Sequence, residues 1–180
     1  MRTLITILIF LGWSAHAAAV TIDFEEFPSG TLAPVTSQGY EIFAGGSPFQ
    51  DGMISGALSV YGDSESPDFG PAEIGVRVFR TDGEAFALYD MDFSGDFNSL
   101  TAVTADGLGI SGWADDLGSG DWLNITSFFL YGSRENTCCF VSISGVVDNI
   151  VVGPAVVPIP AAAWLFASGL GLLGWIRHRN

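Results

Sequence analysis

The strongest constraint on this chain is the phase of its apolar residues. Ile74, Val76 and Val78 alternate with Gly75, Arg77 and Phe79, and Val20, Ile22 and Phe24 alternate with Thr21, Asp23 and Glu25. A period of two places one set on a single sheet face and the other set on the opposite face. Further apolar runs fall at residues 40–44, 57–60, 86–93, 100–105, 108–114, 123–131, 140–143 and 146–152, punctuated by Gly, Asp, Ser and Pro. No window in this middle region keeps a helical period. Asp82-Gly83 and Asp106-Gly107 are hairpin-turn dipeptides, because both central residues of the favoured turn need positive φ. The first is expected to return residues 74–79 antiparallel onto 86–93, and the second to join 100–105 to 108–114. Short strands at roughly 8–12-residue spacing predict an all-β fold, an antiparallel β-sandwich or jelly roll. The Gly-, Asp- and Ser-rich stretches 62–71 and 115–121 are expected to be exposed loops.

Both ends of the chain are different in kind. Arg2 precedes an apolar run at residues 4–13, followed by Ala15-His16-Ala17, with Ala18 and Ala19 next. A positive residue, a short apolar core and a small-x-small site form a secretory signal peptide. The run is too short to span a bilayer, which takes about 20 residues. At the other end, residues 161–176 carry no charge until Arg177 and Arg179. As a helix they would be about 24 Å long, a little short of the ~30 Å hydrocarbon core. Trp164 and Trp175 would sit near the two interfaces, and the basic stub would stay cytoplasmic. The expected organisation is a signal peptide over 1–19, an ectodomain over 20–153, a Pro-rich linker and motif over 154–160, a transmembrane helix over 161–176 and a basic stub over 177–180.

The segment Val157, Pro158, Ile159, Pro160, Ala161, followed by a Gly-rich apolar helix and an Arg-rich end, resembles the Val-Pro-Leu-Pro-Ala variant of the PEP-CTERM sorting signal. It departs from the name-giving motif in having Pro-Ile-Pro where that motif has Pro-Glu-Pro. The resemblance covers about the last 25 residues. It implies a Gram-negative source with an exosortase as processing partner. It also implies transient anchoring in the inner membrane, then release to the cell surface or an exopolysaccharide matrix. Ile22-Asp23-Phe24-Glu25, Gly39-Tyr40-Glu41-Ile42 and Val147-Asp148-Asn149-Ile150-Val151-Val152 are similar to strands of the galactose-binding-like sandwiches often found ahead of such tails.

Composition excludes more than it selects. All 20 Asp and Glu fall between residues 20 and 153, against Arg77, Arg80 and Arg134 only, so the ectodomain carries a net charge of −17. Such a surface repels nucleic acid, and no nucleic-acid partner is expected. The only histidines, His16 and His178, lie in the signal and the stub. The ectodomain therefore lacks the base of a Ser-His-Asp or Cys-His site and the usual zinc ligand. Cys138 and Cys139 are adjacent. Neighbouring Cα atoms lie about 3.8 Å apart, shorter than the ~4.4 Å an ordinary disulfide needs. A vicinal bridge would thus be strained, and pairing between chains or free thiols are the alternatives.

Three kinds of site remain. In sandwiches of the resembled kind the first and last strands lie close. Asp23, Glu25, Asp148 and Asn149 are then candidate oxygen ligands for a structural Ca²⁺. Trp113 and Trp122 flank an acidic loop and are candidate platforms for a sugar ring. A glycosidase-like carboxylate pair is a further option, but no spacing among the 20 acids singles one out. The expectation is a non-catalytic, exported surface protein and a candidate carbohydrate binder associated with exopolysaccharide. A carboxylate-based glycan hydrolase or lyase and a purely structural matrix protein are the alternatives.

Overall fold

The computed structural model of the chain describes residues 18–46, 50–64, 71–137 and 140–156. Thirteen strands occur among them: β1 (Val20–Ile22), β2 (Thr31–Leu32), β3 (Val35–Ser37), β4 (Tyr40–Gly46), β5 (Gln50–Asp51), β6 (Met53–Ile54), β7 (Leu58–Ser64), β8 (Ala72–Arg80), β9 (Phe86–Gly95), β10 (Ser99–Thr104), β11 (Gly109–Gly112), β12 (Ile125–Arg134) and β13 (Val141–Pro154). Every pairing is antiparallel. Among the described residues no helix is long and apolar enough to cross a membrane. The sorting motif, the apolar C-terminal stretch, Cys138 and Cys139 lie outside the described residues.

The strands form two halves. One runs β2-β6-β7-β13-β9, with β1 beside the end of β13, and the other runs β12-β8-β4-β3, extended by β10 and β11. The halves share a single residue pair, Ile125 opposite Phe86. At the other margin β7 crosses β8 and β4 at backbone contact. A Cβ on Gly62 would lie 2.1 Å from the Glu73 carbonyl oxygen, and one on Gly46 would lie 2.1 Å from that of Tyr61. The result is a nearly closed all-β antiparallel sheet. Its interior holds Ile42, Ile74, Val76, Val78, Leu88, Phe86, Phe128, Leu130, Val147 and Ile150. Burying each such side chain contributes roughly 1.5–3 kcal/mol.

The alternation read in residues 74–79 places Ile74, Val76 and Val78 inside. Phe24, by contrast, is not in a strand. It adopts φ +58 yet is fully buried, in a turn where the Asp23 carboxylate accepts a hydrogen bond from the Glu25 amide (3.2 Å). Asp106-Gly107 joins β10 to β11 as a hairpin. Asp82-Gly83 also forms a turn, but β8 and β9 do not pair: β4 and β12 already occupy both edges of β8. The chain instead crosses to the other half, where Phe86 meets the edge of the Tyr40 ring at 5.1 Å. The two strands expected near 140–143 and 146–152 are one, β13, bent at a register shift where Asn149 takes φ +48. The acidic stretch near 115–121 contains two 3-10 turns, Ala114–Asp116 and Gly120–Leu123. Residues 62–64, expected to open a loop, belong to β7, and Pro154, expected to open the linker, ends β13.

Candidate functional site: an aromatic sheet face around Arg77

Cross-strand register builds the outer face of the second half. Val76 and Val78 point inward, so Arg77 and Phe79 point outward. In β12, Phe128 is buried against Val78, which leaves Phe129 outside, opposite Arg77. In β4, Phe43 stands opposite Arg77 on the other side. One row therefore reads Thr101, Phe129, Arg77, Phe43 across four strands, and the next reads Val103, Ser127, Phe79, Glu41.

The rings are half-exposed and mutually supported. Phe43 is 41% exposed and Phe129 is 39% exposed. Phe43 stacks on Phe79 with centroids 5.7 Å apart and planes at 17°, and Phe129 meets Tyr131 at 5.7 Å. The Arg77 guanidinium lies over the Phe79 ring at 5.6 Å, a cation–π arrangement. Tyr131 donates a 2.7 Å hydrogen bond to Glu73. Its hydroxyl pKa is raised, chiefly by burial and then by that hydrogen bond, so it stays a neutral donor. Two hollows open on this face. One of about 630 Å³ is bounded by Arg77, Thr101, Val103, Ile110 and Phe129, and one of about 170 Å³ by Pro34, Phe43, Asp51, Arg77 and Phe129. Arg77 and Phe129 line both. Contiguous exposed apolar surface rimmed by polar groups marks an interaction site.

The two tryptophans have different environments. Trp113 is 47% exposed, and its backbone amide donates to the Asp116 carboxylate (2.8 Å). Trp122 is 5% exposed and belongs to the core. It is therefore a packing residue, offering only an edge to a shallow hollow beside Asp116, Ser119 and Asp121. The 3-10 turn Gly120–Leu123 directs its indole inward, so the two rings do not form one platform.

Three of the four candidate calcium ligands, Asp23, Asp148 and Asn149, are brought to one corner. β1 pairs with β13, Ile22 opposite Ile150, so Asp23 and Asn149 are the next residues along. Their side chains are engaged otherwise. The Asn149 amide donates to Asp92 (2.8 Å), Asp148 accepts from the Asn149 backbone (2.9 Å) and Asp23 accepts from Glu25. Among the described residues no group of three or more acidic, histidine or cysteine side chains is placed to hold a metal ion.

Sequence reasoning missed the aromatic face, although one signal for it was present. Phe79 occupies the polar phase of the alternation in β8. Phe129 carried no such signal, because Phe128 and Phe129 are adjacent and only the register of β12 against β8 decides which is inside. No family model matches the chain, and no curated protein and no solved structure matches it either.

Proposed function

We propose that this chain is an exported, non-catalytic surface protein that binds glycan on the aromatic outer face built by β4, β8 and β12. The observation that carries the reading is the row Phe129, Arg77, Phe43, with Phe79 behind it. Flat apolar rings interleaved with hydrogen-bonding groups suit the alternating CH and OH faces of a sugar. Thr101, Ser127, Tyr131 and Arg77 supply the polar groups. A jelly-roll sandwich of the galactose-binding kind is the finer fold assignment within this proposal. The two antiparallel halves and their shared core carry only the all-β architecture, and the finer part rests on the likeness of residues 22–25, 39–42 and 147–152 to strands of such sandwiches.

Delivery is part of the same reading. β1 begins at Val20, directly after the small-residue cleavage site, and β13 ends at Pro154, three residues before the Val-Pro-Ile-Pro-Ala motif. The described strands thus fall between the two proposed processing signals. An exosortase is the proposed processing partner, and an exopolysaccharide matrix the proposed destination.

The test is a glycan array probed with the purified full chain, followed by product analysis on every polysaccharide bound. Binding without release of shorter products is expected, and Phe129→Ala should abolish it. Product release would establish a hydrolase or lyase instead. Absence of binding to every glycan would leave a structural matrix role.

A further inference from the structure

Arginine is scarce in this domain, and its three copies are used differently. Arg80 pairs with Asp82 and lies 3.7 Å from Glu84, and Arg134 lies 3.4 Å from Asp96. Arg77 has no carboxylate partner within ion-pair distance among the described residues. Glu41 stands opposite Phe79, one row away on the same face, and Asp51 lines the smaller hollow, yet neither pairs with Arg77. With 20 carboxylates in the domain and only three arginines, an exposed and unpaired guanidinium at the centre of the apolar face is a specific charge feature. Its planar fork matches a carboxylate with two parallel hydrogen bonds.

The global field points the other way. A net charge of −17 repels a dense polyanion and also repels a second copy of this chain. A ligand that satisfies both conditions carries an isolated carboxylate flanked by neutral apolar faces. Phe43 and Phe129 stand one strand to either side of Arg77. At about 4.8 Å between strands, they bracket a span of roughly 10 Å. We infer that the Arg77 face takes an acidic glycan in which single uronate residues are separated by neutral sugars, the carboxylate on Arg77 and the neighbouring sugars on Phe43 and Phe129. This inference rests on the glycan-binding reading and adds the class of ligand.

The experiment compares an oligosaccharide carrying one glucuronate per several neutral hexoses with its carboxyl-reduced form, using the full chain in detergent and calorimetry. The acidic form should bind about tenfold tighter or more, as a charge-assisted bidentate contact implies. Arg77→Gln should remove that preference, so that the acidic and the reduced forms bind this variant with equal affinity. Arg77→Lys, which keeps the charge and loses the fork, should fall between. Polygalacturonate should bind more weakly than the sparse oligosaccharide at low salt, and the gap should narrow as salt screens the domain charge. Equal affinity for both forms would overturn the acidic assignment and leave glycan binding standing. Full preference in Arg77→Gln would overturn the role of Arg77. No binding of either form, or self-association that Arg77→Gln abolishes, would overturn both readings.

Discussion

The ring of Phe129 lies directly over the backbone of Gly75, where a Cβ would come within 2.7 Å of Cε2 and 2.8 Å of Cζ. A glycine inside a central strand is normally a weakness. Here it lets a half-exposed aromatic ring lie flat beside Arg77 on the outer face.

Gly75→Ala should therefore affect binding more than folding. The ring is on the surface and can swing away, so the stability loss should be about 1 kcal/mol, the low end of overpacking. The platform would be disrupted, and glycan affinity should fall at least as far as in Phe129→Ala. Urea unfolding and calorimetry on the same variant check the two effects.

Gly62→Ala should behave in the opposite way. Its Cβ would meet the Glu73 carbonyl oxygen at 2.1 Å, and backbone cannot step aside as a surface ring can. Separating β7 from β8 should cost about 3 kcal/mol or more, read as a large drop in Tm.

The two tryptophans should separate cleanly. Trp122 lies in the core, so Trp122→Ala should destabilise by about 3–5 kcal/mol through the cavity it leaves. Trp113 is exposed, so Trp113→Ala should stay within about 0.5 kcal/mol of the parent. Chemical denaturation of the two variants measures both values.

Asp106 should titrate below an ordinary carboxyl group. The Thr104 hydroxyl donates to it, and this hydrogen bond is the main cause of its lowered pKa. The folded chain therefore holds this proton less tightly than the unfolded chain does. The resulting stabilisation is present above the ordinary carboxylate range and is lost as pH falls through the lowered value. Thr104→Val should move the Asp106 titration back toward the ordinary value, as followed by NMR of its carboxyl carbon.

The Asp-Gly dipeptides show what local sequence could and could not decide. Both make turns, because glycine accepts positive φ at Gly83 and Gly107. Only Asp106-Gly107 became a hairpin. Whether a turn closes a hairpin depends on whether the strand edges it joins are free, and both edges of β8 are taken by β4 and β12. The strands β2, β3, β5 and β6 are two or three residues long, too short for any period to register. The calcium corner was legible only as proximity. β1 does meet β13, but the engagement of Asn149 with Asp92 depends on β9 lying beside β13.

The period-two pattern of β8 was enough to set the strand and its buried face, because alternation follows from backbone geometry alone. Composition was enough to fix the net charge of −17 and the lack of histidine between residues 20 and 153, since charge and side-chain inventory do not depend on folding. The export and sorting expectations likewise rest on the order of residues at the two ends. The aromatic face is different. Phe43, Arg77 and Phe129 are far apart in the chain, and they form one row only through the register of β4, β8 and β12. Burial of Phe128 against Val78 sets that register, and with it the outward position of Phe129 and the two hollows that Arg77 and Phe129 line.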